Sequence, residues 1–334
     1  MKLTNILKEK KNVISVEVEP PLLGKGINSL WEMLDPLARL GISWVDITYH
    51  AEDIVGYEEG NDNGSGNGSN GLVPVFERKK PGTGAIAGAI MQRYRDQRME
   101  AVPHVICSGF TARQTEEFLV EVSYQGVTNV LAVRGDPPKG PDGKRLEFAP
   151  VKGGHTHASE LVQQIVGLRE GHYLGAREGE PLDFCVGGAC YPEGLAGESI
   201  KRQLEWLKYK IDQGIEYLVT TMFFENAKYF QFRDRAYAAG IRVPIIPGIT
   251  PLSKVGQLES MPSMFGCTIP RGYREVIKLH QDELGEEEVK KTGIDWCARQ
   301  CRELRRQGAP SLHFYANRNA PVAEVIELIT PTSM

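Results

Sequence analysis

No stretch of 18 consecutive apolar residues occurs in the 334-residue chain, so no segment is long and oily enough to span a bilayer as a helix. The opening residues, MKLTNILKEKKN, carry basic side chains but no apolar core of the signal-peptide kind, and no secretory leader is expected. Charge of one sign is not in excess. A formal net charge of −4 gives no electrostatic reason to expect nucleic acid or an anionic membrane as a partner. Cysteine is sparse: Cys107, Cys185, Cys190, Cys267, Cys297 and Cys301 form no CxxC pair and no zinc-type spacing, so no metal is expected. Six scattered cysteines suit a reducing cytoplasm, and Cys297 with Cys301 reads as a pair of packing residues on one helix. Signatures of common enzyme classes are also missing. There is no GxxxxGK[ST], HExxH or GxSxG, and no GxGxxG turn leads directly from an apolar strand run into a helix. P-loop, zincin, hydrolase-elbow and Rossmann sites are thereby disfavoured.

What the chain does contain is a regular alternation. Apolar runs of strand length fall at 13–19, 44–49, 101–108, 129–135, 184–191, 217–224, 243–249 and 311–317. Helical patterns lie between or after them at 27–40, 84–95, 112–124, 158–170, 199–213, 226–239, 287–307 and 321–329, with a broken helical region before the seventh. The strand runs are nearly continuously apolar rather than alternating, as expected when both faces are buried. Strict strand–helix alternation gives a parallel sheet, and eight units give an α/β fold closed as a (β/α)8 TIM barrel, a single domain over residues 1–334. The low-complexity run NDNGSGNGSNG (61–71) offers nothing to bury and reads as a flexible insertion on the barrel's C-terminal rim. Residues 137–157 hold little apolar material on that same rim and read as a functional loop.

Barrel enzymes build their sites where strands end at the C-terminal rim. Glu17 and Glu19 sit two apart in the first run, on one face. A buried carboxylate tends to hold its proton, which suits a general acid; the competing reading is a salt bridge at the barrel floor. Arg134-Gly135-Asp136 ends the fourth run, where Gly135 permits a tight turn. The arginine and aspartate form either an internal ion pair or a phosphate contact beside a heterocycle contact. His104 reads as a hydrogen-bonded core residue, while Thr48-Tyr49-His50 and Tyr191-Pro192-Glu193 end the second and fifth runs. Their coincidence at successive strand ends points to one shared site.

Eight of these segments, in order, resemble the methylenetetrahydrofolate reductase family: SVEVEPP (15–21), DITYHAED (46–53), PHVIC (103–107), LAVRGDPP (131–138), ACYPEG (189–194), LKYKIDQG (207–214), IIPGITP (245–251) and LHFYANR (312–318). The overall look is nearest to bacterial single-domain reductases. The resemblance implies FAD at the barrel mouth, NADH or NADPH as hydride donor, and reduction of 5,10-methylenetetrahydrofolate to 5-methyltetrahydrofolate for methionine synthesis, in a homo-oligomer. It implies Glu17 as the general acid and Asp136 as a carboxylate between flavin and pterin. Thr48, Tyr49, Ala51, His104, Arg134, Gly135, Ala158, Tyr191 and Lys210 match flavin or nicotinamide positions. Thr221, Gln257 and Arg318 match folate-contact positions, the last with a one-residue shift.

The chain departs from the family pattern in three places. Leu195 and Gln203 stand where a histidine and an acid are usual, and Thr221 replaces a glutamine that hydrogen-bonds the pterin. Two other readings therefore stand beside the reductase: a folate-binding relative without tight FAD that takes hydride directly from a nicotinamide or another carrier, and a non-catalytic barrel. The two carboxylates Glu17 and Asp136 argue against the last.

Overall fold

The computed structural model describes residues 1–59, 72–195, 197–316 and 320–330. In chain order the strands are β1 (Ile14–Val18), β2 (Trp44–Ile47), β3 (Asp53–Glu59), β4 (Leu72–Glu77), β5 (Glu100–Ile106), β6 (Asn129–Val133), β7 (His172–Tyr173), β8 (Arg177–Glu178), β9 (Cys185–Cys190), β10 (Tyr217–Met222), β11 (Ile245–Ile249) and β12 (Leu312–Tyr315). Eight of them close a parallel barrel in the order β1-β12-β11-β10-β9-β6-β5-β2, with β1 pairing β2 to complete the ring. Each of the eight apolar runs contributes one of these strands. The expected (β/α)8 barrel is the observed fold.

Two apolar layers account for the continuous strand runs. Outward-facing residues such as Val16, Val45, Ala101, Val130 and Leu218 pack under the surrounding helices in one large cluster. Inward-facing residues form a second cluster of Val13, Trp44, Val102, Leu131, Cys185, Tyr217, Val219 and Ile246. A helix that periodicity did not signal, Leu3–Glu9, joins this inner cluster through Leu3 and Ile6. These side chains cover the N-terminal end of the barrel, so the apolar layer is its floor. Burying apolar area of this kind stabilises by roughly 25 cal/mol per Å².

Local sequence chemistry sets the helix ends. Thr111 opens the helix Ala112–Tyr124 with a reciprocal cap: its hydroxyl accepts from Gln114 N, and the Gln114 side chain accepts from Thr111 N. The broken region before the seventh helix resolves into two short helices, Gln257–Phe265 and Arg271–Glu283. The long helix Glu286–Arg306 follows, with Cys297 and Cys301 both buried in it as packing residues. Gly293 lets this helix lie against the chain after β11; a Cβ there would stand 1.6 Å from the Leu252 carbonyl oxygen.

The insertion on the rim is larger than a loop. β3 and β4 form an antiparallel hairpin rising after β2, and residues 61–71, expected to be flexible, lie outside the described residues. The hairpin is tied to the 137–157 segment: Ile54 N donates to Lys139 O at 2.8 Å, and Lys139 N donates to Asp53 Oδ1 at 3.1 Å.

Candidate active site

Above the apolar floor, the inward positions turn polar. Glu17 on β1 and Asp46 on β2 are register partners in adjacent strands. His104 comes from β5 and His313 from β12, and the four meet near the barrel axis. His104 Nε2 lies 3.6 Å from Glu17 Oε2 and 3.6 Å from Asp46 Oδ1. His313 Nε2 lies 3.9 Å from Glu17 Oε2, and its Nδ1 lies 3.6 Å from Asp46 Oδ2. These are ion-pair distances, longer than formed hydrogen bonds. Two shorter bonds fix the tier from below: Ser15 Oγ to His313 Nδ1 at 2.9 Å, and the Trp44 indole N–H to Asp46 Oδ2 at 2.9 Å.

Glu17 is the most open member, with 20% of its side chain exposed, while Asp46 and His313 are each 1% exposed. Burial pushes the His104 pKa down, but the carboxylates of Asp46 and Glu17 outweigh it and hold that pKa above its ordinary value. Glu17 stands in a polar tier above the apolar floor, at ion-pair distance from both histidines. Glu19, its expected twin, lies beyond the end of β1 and binds Lys80 at 2.7 Å on the surface.

The remaining rim residues gather around this tier. Thr48 Oγ1 is 3.3 Å from Val18 O and 3.0 Å from His50 Nε2, which also receives Lys80 Nζ at 3.0 Å. Burial, then the Lys80 charge, lowers the His50 pKa, against the charges of Glu19, Asp136 and Glu17. Tyr49 packs edge-on against Phe110, with ring centroids 5.0 Å apart, and Ala51 lies beside Gly109. Burial raises the pKa of Tyr49 and of Tyr191, and the charges of Arg134 and Asp136 reach Tyr191. The charges of Arg134 and Asp136 after β6 thus reach Tyr191 after β9, and those of Asp136 and Glu17 reach His50 after β2.

Arg134 and Asp136 do not pair with each other. The Arg134 guanidinium lies over the Phe148 ring at 4.8 Å, and Arg145 from the long rim segment grips Asp136 with two bonds of 3.1 and 2.9 Å. Gly135 between them has φ +80°, and a Cβ there would meet Ile106 Cβ at 3.0 Å and Ser108 Cβ at 3.2 Å. Ala158 begins the helix Ala158–Arg169. Lys210 is half-buried and donates only to Ala189 O at 3.3 Å, with no acid in ion-pair reach among the described residues. Its burial lowers the ammonium pKa, so the charge is short of a partner.

Thr221 is half-buried near the end of β10, where the β10–β11 register shifts. Gln257 accepts from Ser253 N at 2.6 Å and Lys254 N at 2.9 Å. It also lines a cavity of about 420 Å³ with Glu19, Pro20, Leu30, Met33 and Lys254. Arg318 lies outside the described residues. The divergent Gln203 is used internally: its amide donates to the carbonyls of Leu195 and Glu198, both at 3.3 Å, and closes the segment after β9.

The family profile described as Methylenetetrahydrofolate reductase matches residues 2–330. The chain belongs to that family. It is 28% identical over 322 residues to Methylenetetrahydrofolate reductase 1 of Schizosaccharomyces pombe, covering 96% of this chain and 46% of the relative. Against 5,10-methylenetetrahydrofolate reductase of Escherichia coli K12 it is 28% identical over 314 residues, covering 94% of this chain and 88% of the relative. The chain spans about half the length of the eukaryotic family members it matches. Among solved structures, a Clostridium thermocellum protein described as binding two copies of 5-methyl-5,6,7,8-tetrahydrofolic acid shares the fold with a TM-score of 0.58 at 14% identity, covering 98% of both chains. No helix among the described residues is long and apolar enough to cross a membrane.

Proposed function

We propose that the protein reduces 5,10-methylenetetrahydrofolate to 5-methyltetrahydrofolate, with NADH or NADPH as the source of hydride and FAD as its carrier. Family membership supports the folate chemistry, and relatives named for NADH and for NADPH support a nicotinamide donor. The observation that carries the reading is Glu17: an acid on the first barrel strand, in a mostly buried polar tier and still 20% exposed toward the mouth. Such a group reaches substrate and is shielded enough to deliver a proton rather than exchange it with water. In this role Glu17 protonates the nitrogen that leaves the methylene bridge, so that hydride can reach the carbon. Asp136, paired with Arg145, is the second carboxylate of the mouth, and Thr221 and Gln257 are the folate contacts.

The residues present fit FAD. The half-buried Lys210, with its ammonium held by one carbonyl, suits a diphosphate, which would complete its charge pairing. Thr48, Tyr49, Ala51, His104, Arg134, Gly135, Ala158, Tyr191 and Lys210 are the side chains and backbone that would hold the cofactor. FAD supplies the two-electron step between nicotinamide and folate when bound; the protein contributes orientation, a water-poor mouth and the Glu17 proton. A second reading, folate reduction without tight FAD, is favoured by one observation. Gln203 spends its amide on Leu195 O and Glu198 O, at a position where the family resemblance expects an acid.

The visible spectrum of the purified protein, followed by anaerobic half-reactions, tests the proposal. Flavin absorbance, bleaching by NADH or NADPH and reoxidation by 5,10-methylenetetrahydrofolate are expected. A colourless protein that still reduces the folate selects the second reading, and a protein that does neither overturns both.

A further inference from the structure

The polar tier holds more titratable groups than the proposed reaction uses. Asp46 is only 1% exposed, and its Oδ1 has no hydrogen-bond partner. The Nε2 atoms of His104 and His313 are likewise buried and unpartnered. The His104 Nε2 lies between Asp46 Oδ1 and Glu17 Oε2, 3.6 Å from each, and the His313 Nε2 lies 3.9 Å from the same Glu17 oxygen. Leaving three buried polar atoms unpaired is costly, and such groups are retained where charge is exchanged. The ionisable neighbours of the tier are His50 after β2, Tyr217 on β10 and Tyr315 on β12.

We propose that Asp46 is a positioning residue: it acts as the counter-ion of His104 and so leaves the proton of Glu17 available to the substrate. The inference rests on Glu17 as the acid. A count of protons gives the logic. With Asp46 ionised and His104 protonated, a protonated Glu17 leaves these three groups neutral overall. Without the Asp46 charge, the same two protons leave a net positive charge buried in the barrel, which is disfavoured. That charge is relieved when Glu17 gives up its proton and becomes the ion partner of His104, 3.6 Å away. The acid is spent on a salt bridge. His313 is held differently, since its Nδ1 is already engaged with Ser15.

Two measurements test this. Histidine-selective ¹⁵N NMR follows the His104 imidazole in the wild-type holoprotein and in Glu17→Gln from pH 6 to 9. Protonation persisting above the ordinary histidine range in both proteins is the expected result. A neutral His104 at pH 7 in the wild type, or one that loses its proton only when Glu17 is replaced, overturns the proposal. The second measurement is the pH profile of the folate half-reaction. Asp46→Asn should move its alkaline limb toward acid by a pH unit or more, about tenfold slower at pH 7, with activity regained at lower pH. Flavin reduction by nicotinamide should be unchanged. Asp46→Glu should restore the limb, and Asp46→Asn in a His104→Gln background should not shift it. A uniform loss at all pH values would mean a merely structural role. If Asp46→Asn fails to fold, the NMR titration of wild type and Glu17→Gln still decides. Absence of folate reduction in the wild type defeats the Glu17 assignment, whereas a neutral His104 defeats the counter-ion alone.

Discussion

Replacing Glu17 with glutamine keeps the side chain's volume and removes its transferable proton. The folate half-reaction is expected to fall by about 10²-fold or more, the usual worth of a general acid. Reduction of bound flavin by nicotinamide should stay near the wild-type rate, because no proton from Glu17 enters that step. Stability separates this from a structural role. If Glu17 were the principal ion partner of His104, breaking a buried pair would cost about 3–5 kcal/mol, reduced to about 2 kcal/mol for a side chain 20% exposed. At roughly 2–4 °C per kcal/mol, the melting temperature would drop by roughly 4–8 °C. With Asp46 as the partner of His104, Glu17→Gln should shift melting by no more than about 2 °C. The sign of the pH dependence agrees. A histidine with a raised folded pKa stabilises fully below its unfolded pKa near 6.5, and that contribution is lost as pH rises through the folded value. The part that comes from Asp46 should survive in Glu17→Gln, and the part that comes from the Glu17 carboxylate should not. Stopped-flow absorbance of the two half-reactions and thermal melts at pH 6 and pH 8.5 provide the assay. Equal losses in both half-reactions, or a large fall in melting temperature confined to pH 6, would refute the assignment.

Three further perturbations follow from the geometry. Gly135→Ala forces a Cβ into a left-handed position against Ile106 and Ser108; about 1–2 kcal/mol of backbone strain and about 1–3 kcal/mol of overpacking should lower melting by roughly 4–20 °C, read by calorimetry. Lys210→Met removes a half-buried cation without an acid partner, so FAD affinity measured by fluorescence titration should weaken by roughly 10- to 100-fold, for loss of a charged hydrogen bond of about 1.5–3 kcal/mol, while the apoprotein melts no lower. Thr221→Gln restores a longer donor and acceptor near the end of β10. It should tighten folate binding by about three- to tenfold without altering flavin reduction; weaker binding at unchanged FAD content would mean that the pterin sits differently.

The barrel was legible because the physics that closes it also writes the sequence. A parallel strand buried on both faces is apolar along most of its length, as in VPIIPGI and NVLAV, and a helix must separate each from the next. Elements lacking such a signature stayed hidden. The helix Leu3–Glu9 is too short for a 3.6-residue period to register, and the inner cluster holds it through only a few side chains. The hairpin β3–β4 is mostly exposed, and Pro74 interrupts one strand, so neither alternation nor burial marks it.

The candidate site was legible in the measure that single strand ends reveal it. Glu17 stood out as an acid in an apolar run, whereas Asp46 in WVDITY drew no notice, and only pairing places them side by side. His313 is 296 residues from Glu17 in sequence and enters the tier through the β1–β12 pairing, which joins the first and last strands of the barrel. No local pattern reports such a contact. The pairing of Asp136 with Arg145 instead of Arg134 is hidden for a related reason, since the long rim segment folds back without regular structure. The rule that does carry over is narrower. A carboxylate at an inward position of a barrel strand is too costly to be incidental. When two occur on adjacent strands in the same register, the basic groups that balance them must come from elsewhere in the ring. Here those groups are the two histidines on β5 and β12, whose strands flank β2 and β1.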